Sequence, residues 1–445
     1  FDTGWKRILA IVSGAAGLLA TLFLSSRSFY FGIFVVTLAY LSFLGINYFK
    51  NKRKKHLKLI FIYCGALVTA ILLFSLTQRF LYPQKTSQLG LGIGERLATI
   101  SSNDDSANKR LTAWERSFHV IKKEPLLGCG IGNWKVVTLK EENQTNPNYI
   151  YQYKAHNDFI ETTTEVGIFG GLFFAAIFIV VLFRFFNSIK KEDDSEYLKY
   201  IFLPAFGLMA YFFDAFFNFP QDRPEIQALF ALFAGAGIAL TQFKNEGINV
   251  TEEQVQGNAI VRFQSKLSNI LNEKSTLLQK IWSLKLLVFI IFSIYILVLN
   301  HQSLKLQRLI KDEMNSGKMN TSSDVFVQGF PWIPDINVVG EPISAQKARY
   351  LINEKKFDKA IEILRKDHSS PWDTRPEFFI AMAYFNQGKY DSAMVYNKKV
   401  MELKPYMFEN ITMMCAILER TDKPAEAVTL LENYLGKYKT ESKAW

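Results

Sequence analysis

The stretch KAHNDFIETTTEVGIFGGLFFAAIFIVVLFRFF, residues 154–186, opens as a dense polar cluster and turns abruptly into an apolar run. A bilayer core takes about 17–25 apolar residues as helix, and Val166–Phe186 has that length, with His156, Asn157, Asp158, Glu161 and Glu165 crowded at its threshold. Working outward, six more stretches read the same way: Ile8–Leu24, Phe29–Phe49, Leu57–Leu76, Tyr200–Phe217, Ile226–Phe243 and Ile281–Leu299. The fold this predicts is all-α, a polytopic transmembrane helical bundle.

Composition agrees with spans joined to soluble parts. The 445 residues are 49% hydrophobic and 15% aromatic, with 39 Phe, while the mean hydropathy is only +0.05, so segments of opposite character are averaged. The chain opens on Phe1 with no basic region leading to a small-residue cleavage site, which reads as a start lying further upstream. Cys64, Cys129 and Cys415 are far apart, which supports neither a zinc site nor a disulfide framework. The charge of +11 is read as membrane topology, not nucleic-acid binding.

KNKRKKHLK, residues 50–58, is as basic as a short loop can be, which predicts a cytoplasmic position. Alternation then sets residues 187–199 and 244–280 inside, and Arg27, the region 78–165, NFPQDRPE (218–225) and the C-terminal tail outside. The domain plan is 1–77 with three spans, 78–165 as a large periplasmic loop carrying the active site, 166–299 with four spans, 300–340 as amphipathic stem and linker, and 341–445 as periplasmic helical repeats. In that last region NEKKFDKAIEIL, NQGKYDSAMVYN and RTDKPAEAVTLL align Ala360, Ala393 and Ala427 at spacings of 33 and 34 residues, with Ala348, Ala381 and Cys415 at the small position of each first helix. That is the tetratricopeptide period, an α-solenoid that binds peptides or proteins and carries no chemistry.

Four features converge on the outer face. Arg27 ends the first span in LFLSSRSFYFG, either as a snorkelling anchor or as a functional cation at a position where such residues are disfavoured. In NKRLTAWERSFHVIKKEPLLGCGIGNW (108–134), Leu111, Trp114, Phe118 and Ile121 recur at helical spacing. This predicts an amphipathic helix over 111–123, lying on the outer leaflet and broken before Pro125, with Arg110 at its entry and Arg116 and His119 on a solvated flank. GCGIG there lacks the preceding strand and following acid of a dinucleotide loop and reads as a tight turn. His156 has an unperturbed pKa near 6.5, suited to a proton acceptor, with Asp158 or Glu161 able to orient it. Asp214, inside a span near its outer end, needs a partner, for which Arg27 and Arg110 are candidates, and Arg223 follows in the short outer loop.

These segments hold no HExxH and no DxD pair, so no metal site and no cofactor is expected. An anionic leaving group would then be met by arginines, whose planar fork matches phosphate oxygens. Two arginines and a histidine at an outer interface suit group transfer from a lipid phosphate.

The order SR, then R-x-x-x-W in Arg110–Trp114, then EPLLGCGIGNW, AHNDF and EVGIFGGL over residues 20–240 resembles the O-antigen ligase family of polytopic glycosyltransferases. The resemblance implies transfer of a glycan from a polyprenyl (undecaprenyl) diphosphate carrier to an acceptor hydroxyl on the periplasmic face of the bacterial inner membrane, metal-independent and inverting. It implies that His156 is catalytic and that Arg27 and Arg110 hold the donor diphosphate, with Asn157, Asp158, Asp214, Arg223 and Arg116 in possible support. The acceptor implied is lipid A core or a protein, since the family includes enzymes of both kinds. The protein acceptor is kept as the alternative, since an outward-facing repeat array suits a polypeptide partner. A polysaccharide polymerase and a non-enzymatic membrane scaffold are further alternatives.

Overall fold

The computed structural model describes residues 54–81, 105–190, 195–245 and 277–437, with isolated positions between 12 and 49. Arg27, most of Ile8–Leu24 and part of Phe29–Phe49 lie outside the described residues. In chain order the helices are α1 (Lys54–Leu81), α2 (Asp105–Lys123), the short turns α3 (Trp134–Val137) and α4 (Leu139–Glu142), α5 (Asp158–Lys190), α6 (Ser195–Phe217), α7 (Pro224–Asn245), α8 (Leu277–Ser316), α9 (Ser323–Gly329), α10 (Ile343–Asn353), α11 (Phe357–Arg365), α12 (Arg375–Asn386), α13 (Tyr390–Leu403), α14 (Phe408–Arg420) and α15 (Pro424–Lys437). Among the described residues there is no strand, only an isolated bridge between Ile336 and Pro342.

Three helices among the described residues are long and apolar enough to cross a membrane, over Ile60–Thr77, Asp158–Phe185 and Ile281–Ser316, while Leu203–Phe217 and Pro224–Ala239 are shorter apolar stretches. At 1.5 Å per residue, 15 to 16 residues reach about 22–24 Å, short of a hydrocarbon core of about 30 Å. The spans expected at Tyr200–Phe217 and Ile226–Phe243 therefore meet this test only as parts of longer helices.

Contacts divide the chain into two compact units, Phe1–Ile131 with Lys154–Ile248, and Gly132–Tyr153 with Asn249–Trp445. In the first, α5, α6 and α7 pack around Phe178, whose ring is fully buried and lies 5.8 Å from Tyr211, 5.7 Å from Phe159 and 5.5 Å from Phe230. Lipid tails are as apolar as these rings, so close packing and aromatic geometry, not water exclusion, hold such helices together.

α2 ends at Lys123, as expected, and starts earlier, at Asp105. Its protein-facing side only partly follows the apolar spacing, Trp114 and Ile121 being half-buried. Ala113, Arg116 and Ser117 are buried, whereas Leu111 and Phe118 are 58% and 49% exposed. The solvated-flank expectation for Arg116 is thereby corrected, because it shares the i, i+3, i+4 face with Ala113 and Ser117 that turns inward. His119 is exposed, as that expectation had it.

In the second unit the expected stem is a direct continuation of the last span within α8, a single 40-residue helix. Leu299, Ser303 and Ile310 are its buried positions at helical spacing, and Ile310 joins Phe326, Phe330, Ile343 and Tyr350 in one cluster. The expected linker is folded onto this cluster: Tyr350 donates to Glu313 Oε2 at 2.8 Å, and the Ser323 N–H and hydroxyl donate to Glu354 at 2.7 and 2.6 Å.

From α10 to α15 the helices run as successive packed pairs. Ala348, Ala360, Ala381 and Ala393 are fully buried and Ala427 is 6% exposed, because only a small side chain lets two helix backbones approach there. Each pair turns through a residue of left-handed conformation, Lys355 (φ 60°), Gly388 (φ 74°) and Asp422 (φ 55°), spaced by 33 and 34 residues.

Candidate active site

The polar cluster before α5 folds into a short tethered segment. Asn157 caps the helix, its Oδ1 accepting from Ile160 N at 3.0 Å and its carbonyl from Glu161 N at 2.9 Å, which satisfies amides that have no partner within the first turn. One residue earlier, His156 has φ 55°, a left-handed conformation that few non-glycine residues adopt and that costs on the order of 1–3 kcal/mol.

The neighbours of His156 hold it there. Lys154 Nζ lies 2.9 Å from Glu161 Oε1 and 2.6 Å from Asp222 Oδ2. The Ala155 N–H donates to Glu161 Oε2 at 2.8 Å, and its carbonyl accepts from the Trp114 indole at 2.9 Å. Asp158 Oδ2 accepts the backbone N–H of Gln221 at 3.0 Å. Every residue from Lys154 to Asp158 except His156 therefore spends a backbone or side-chain group on a tie, to α2, to α5 or to the 220–222 turn.

The imidazole is left to other work. It stands edge-on to Phe219 with centroids 5.0 Å apart, and the Arg223 guanidinium lies 5.8 Å from the centroid of that same ring. His156 Nδ1 is enclosed and has no hydrogen-bond partner among the described residues. Burial, and secondarily the positive charge of Arg110, lower its pKa below the ordinary 6.5, so the ring is neutral at pH 7 with a lone pair to accept a proton. Lys154 is pushed down by burial, but Glu161 and Asp222 more than offset this and raise it overall, so it stays a cation.

The GCGIG loop has its own role. α5 is two helices broken at Gly167 (φ 76°, ψ 177°), and the loop fills the break: Cys129 N donates to Thr164 O at 3.0 Å, Gly130 N to Glu165 O at 2.8 Å, and Pro125 O accepts from Ile168 N at 2.8 Å. A Cβ on Gly128 would meet the Glu165 carbonyl at 2.5 Å, and one on Gly167 would meet Leu126 O at 2.0 Å, so both positions require glycine. Burial pushes the Cys129 thiol up to about 11, with the Glu165 charge adding to it, which leaves no thiolate nucleophile there.

His156, Asn157 and Asp158 thus share one segment, with Arg110 acting on it electrostatically and Arg223 beyond Phe219. Asp214 stands near the end of α6 with its Oδ1 accepting from the Asn218 amide one turn on. Among the described residues no group of three His, Cys, Asp or Glu side chains is gathered that could hold a metal.

Residues 12–175 match the O-antigen ligase family model. The O-antigen ligase match supports a glycosyltransferase-type enzyme, and with the apolar helices it points to a multi-pass inner-membrane protein. It takes in Arg27, Arg110, Arg116, His156, Asn157 and Asp158, and ends within α5, so Asp214 and Arg223 fall beyond it. No curated protein and no solved structure matches the chain.

Sequence reasoning missed Lys154, Phe219, Gln221 and Asp222, and placed Trp114 in the R-x-x-x-W motif without its tie to Ala155. Lys154 alone had a local signal, a lone cation two residues from His156 amid carboxylates; the others reach the site only through the fold.

Proposed function

We propose that the chain transfers a glycan from a polyprenyl diphosphate carrier to an acceptor hydroxyl on the periplasmic face of the inner membrane. His156 removes the acceptor proton as its oxygen attacks the anomeric carbon. The bond from that carbon to the diphosphate oxygen breaks, the polyprenyl diphosphate leaves with the electron pair, and the anomeric configuration inverts. Arg27 and Arg110 hold the diphosphate and neutralise its growing charge. The observation that carries this reading is the His156 imidazole, neutral by burial and by Arg110, in the middle of a segment whose other members are all tied down.

Asn157 and Asp158 act through the backbone, fixing the helix start and the 220–222 turn. Arg223 and Arg116 supply positive potential around the leaving group, and Asp214 orders the outer end of α6.

The acceptor is lipid A core on this reading. A protein acceptor is favoured by one specific feature, the helix pairs of the second unit, which we read as a periplasmic tetratricopeptide-like array on the strength of their buried small residues and recurrent left-handed turns. The experiment deletes the gene, restores the full-length protein, and follows lipid-linked glycan, lipopolysaccharide and periplasmic glycoproteins. Accumulated donor with loss of the lipopolysaccharide ladder supports the lipid acceptor. An intact ladder with lost protein glycans supports the protein acceptor, shortened chains that remain attached support a polymerase, and unchanged glycans of every kind support a scaffold.

A further inference from the structure

Between the GCGIG turn and His156 the chain leaves the first unit: Gly132–Tyr153 belongs to the C-terminal unit. This excursion is an embedded strap, with Trp134, Leu139 and Asn143 each 1% exposed. It is pinned at three places. Lys135 Nζ donates to the carbonyls of Asn337 and Val338, both at 3.1 Å. The Asn143 amide donates to Trp372 O at 2.6 Å and the Gln144 amide to Leu403 O at 3.1 Å. Tyr149 and Tyr151 then lie against the start of α12 and the end of α13.

That last contact is made by two buried cations. Arg375 is 5% exposed and Lys404 fully enclosed. Arg375 donates to Tyr149 O at 2.8 Å and lies 4.8 and 5.5 Å from the Tyr149 and Tyr151 ring centroids. Lys404 donates to Asn146 O at 2.8 Å and lies 5.4 and 4.6 Å from the same two rings. A buried cation is costly unless it is paired and hydrogen-bonded. Asp373 pairs with Arg375 at 3.0 Å and Glu341 lies 3.9 Å from it, while the strap adds the Tyr149 and Asn146 carbonyls and the two tyrosine rings. The helix pairs are therefore built to hold this segment, and this edge of them is closed to a foreign peptide.

We propose that the C-terminal helix pairs clamp residues 139–151 and thereby set the position of His156, with Tyr149, Tyr151, Arg375 and Lys404 as positioning residues. Tyr151, the last clamped residue, is five positions before His156, and Lys154 begins the tethered segment. The catalytic reading of His156 is the one given above, on which this inference rests.

The test uses the full-length protein in membranes with Tyr149→Ala/Tyr151→Ala and, as conservative control, Tyr149→Phe. Three quantities are read: hydrogen exchange over 139–151 against α12 and α13, the rate at which diethyl pyrocarbonate modifies His156, and transfer with kcat and donor KM separated. The Ala variant is expected to lose protection over 139–151 while α12 and α13 keep theirs, to expose His156 to faster modification, and to lose about 10- to 100-fold in kcat at unchanged KM. Tyr149→Phe, which keeps the ring and loses only the hydroxyl contact with Thr374, stays within about fivefold of wild type, because it gives up a single net hydrogen bond at most. Protection unchanged in the Ala variant overturns the clamp. Protection lost with His156 modification and kcat both unchanged overturns the positioning role. Should the wild-type protein transfer no glycan, the function reading fails by itself, and exchange with His156 modification still decides the clamp.

Discussion

The Trp114 indole donates to the carbonyl of Ala155 at 2.9 Å, so the residue directly before His156 is tied to α2, the helix that also carries Arg110. One helix thus delivers both a charge that, after burial, helps keep the imidazole neutral and the tie that holds its backbone.

Trp114→Phe removes that tie and keeps most of the ring. A net hydrogen bond of about 1 kcal/mol corresponds to about fivefold, so transfer should fall about fivefold at matched membrane abundance. Unchanged turnover would show that the tie does not position His156.

The pH dependence follows from the lowered pKa of His156, caused first by burial and then by Arg110. The base works when neutral, so transfer falls as pH drops through that pKa, and the acidic limb of kcat should lie below the ordinary 6.5 of histidine. Arg110→Gln removes a charge that disfavours imidazolium, so the limb moves to higher pH, whatever the variant does to absolute rate. A limb that stays in place or moves down contradicts the assignment.

Glycine at 128 and 167 is required by approach as well as conformation. Gly128→Ala or Gly167→Ala drives a methyl into backbone at 2.5 or 2.0 Å, and each should cost on the order of 2–4 kcal/mol in thermal unfolding of the detergent-solubilised protein. Gly132 also has positive φ, yet a Cβ there meets nothing within 4 Å, so Gly132→Ala should cost only about 1 kcal/mol. Equal losses at all three positions would refute the close packing of the GCGIG loop on the broken α5.

Lys154 pairs with Glu161 and Asp222, and the Lys154 and Glu161 side chains are 19% and 10% exposed. Lys154→Met strands the Glu161 carboxylate and should destabilise by on the order of 3 kcal/mol. Adding Glu161→Gln, which still accepts from Ala155, should recover most of that in the same thermal assay. A double variant no better than the single would mean that Lys154 acts through packing.

What could be read from the sequence was what depends on local pattern. The Ala360, Ala393 and Ala427 spacing marked buried contact positions, and the break before Pro125 ended α2 at Lys123. Facing was harder. Leu111 and Phe118 signal an apolar side of α2, but at a bilayer that side is free to turn away from the protein, leaving Ala113, Arg116 and Ser117 to face inward. Longer-range ties carry no periodic signal at all: Asp158 to Gln221, His156 to Phe219, and Tyr149 to Arg375 join segments 63, 63 and 226 residues apart.

The most direct measurement is transfer by His156→Ala in the full-length protein, at membrane abundance equal to wild type, with lipid-linked glycan quantified alongside the glycosylated acceptor. Loss of a general base predicts a fall of about 10²- to 10⁴-fold, with the lipid-linked donor accumulating. Transfer at the wild-type level, with no donor build-up, would contradict the assignment of His156 as the base.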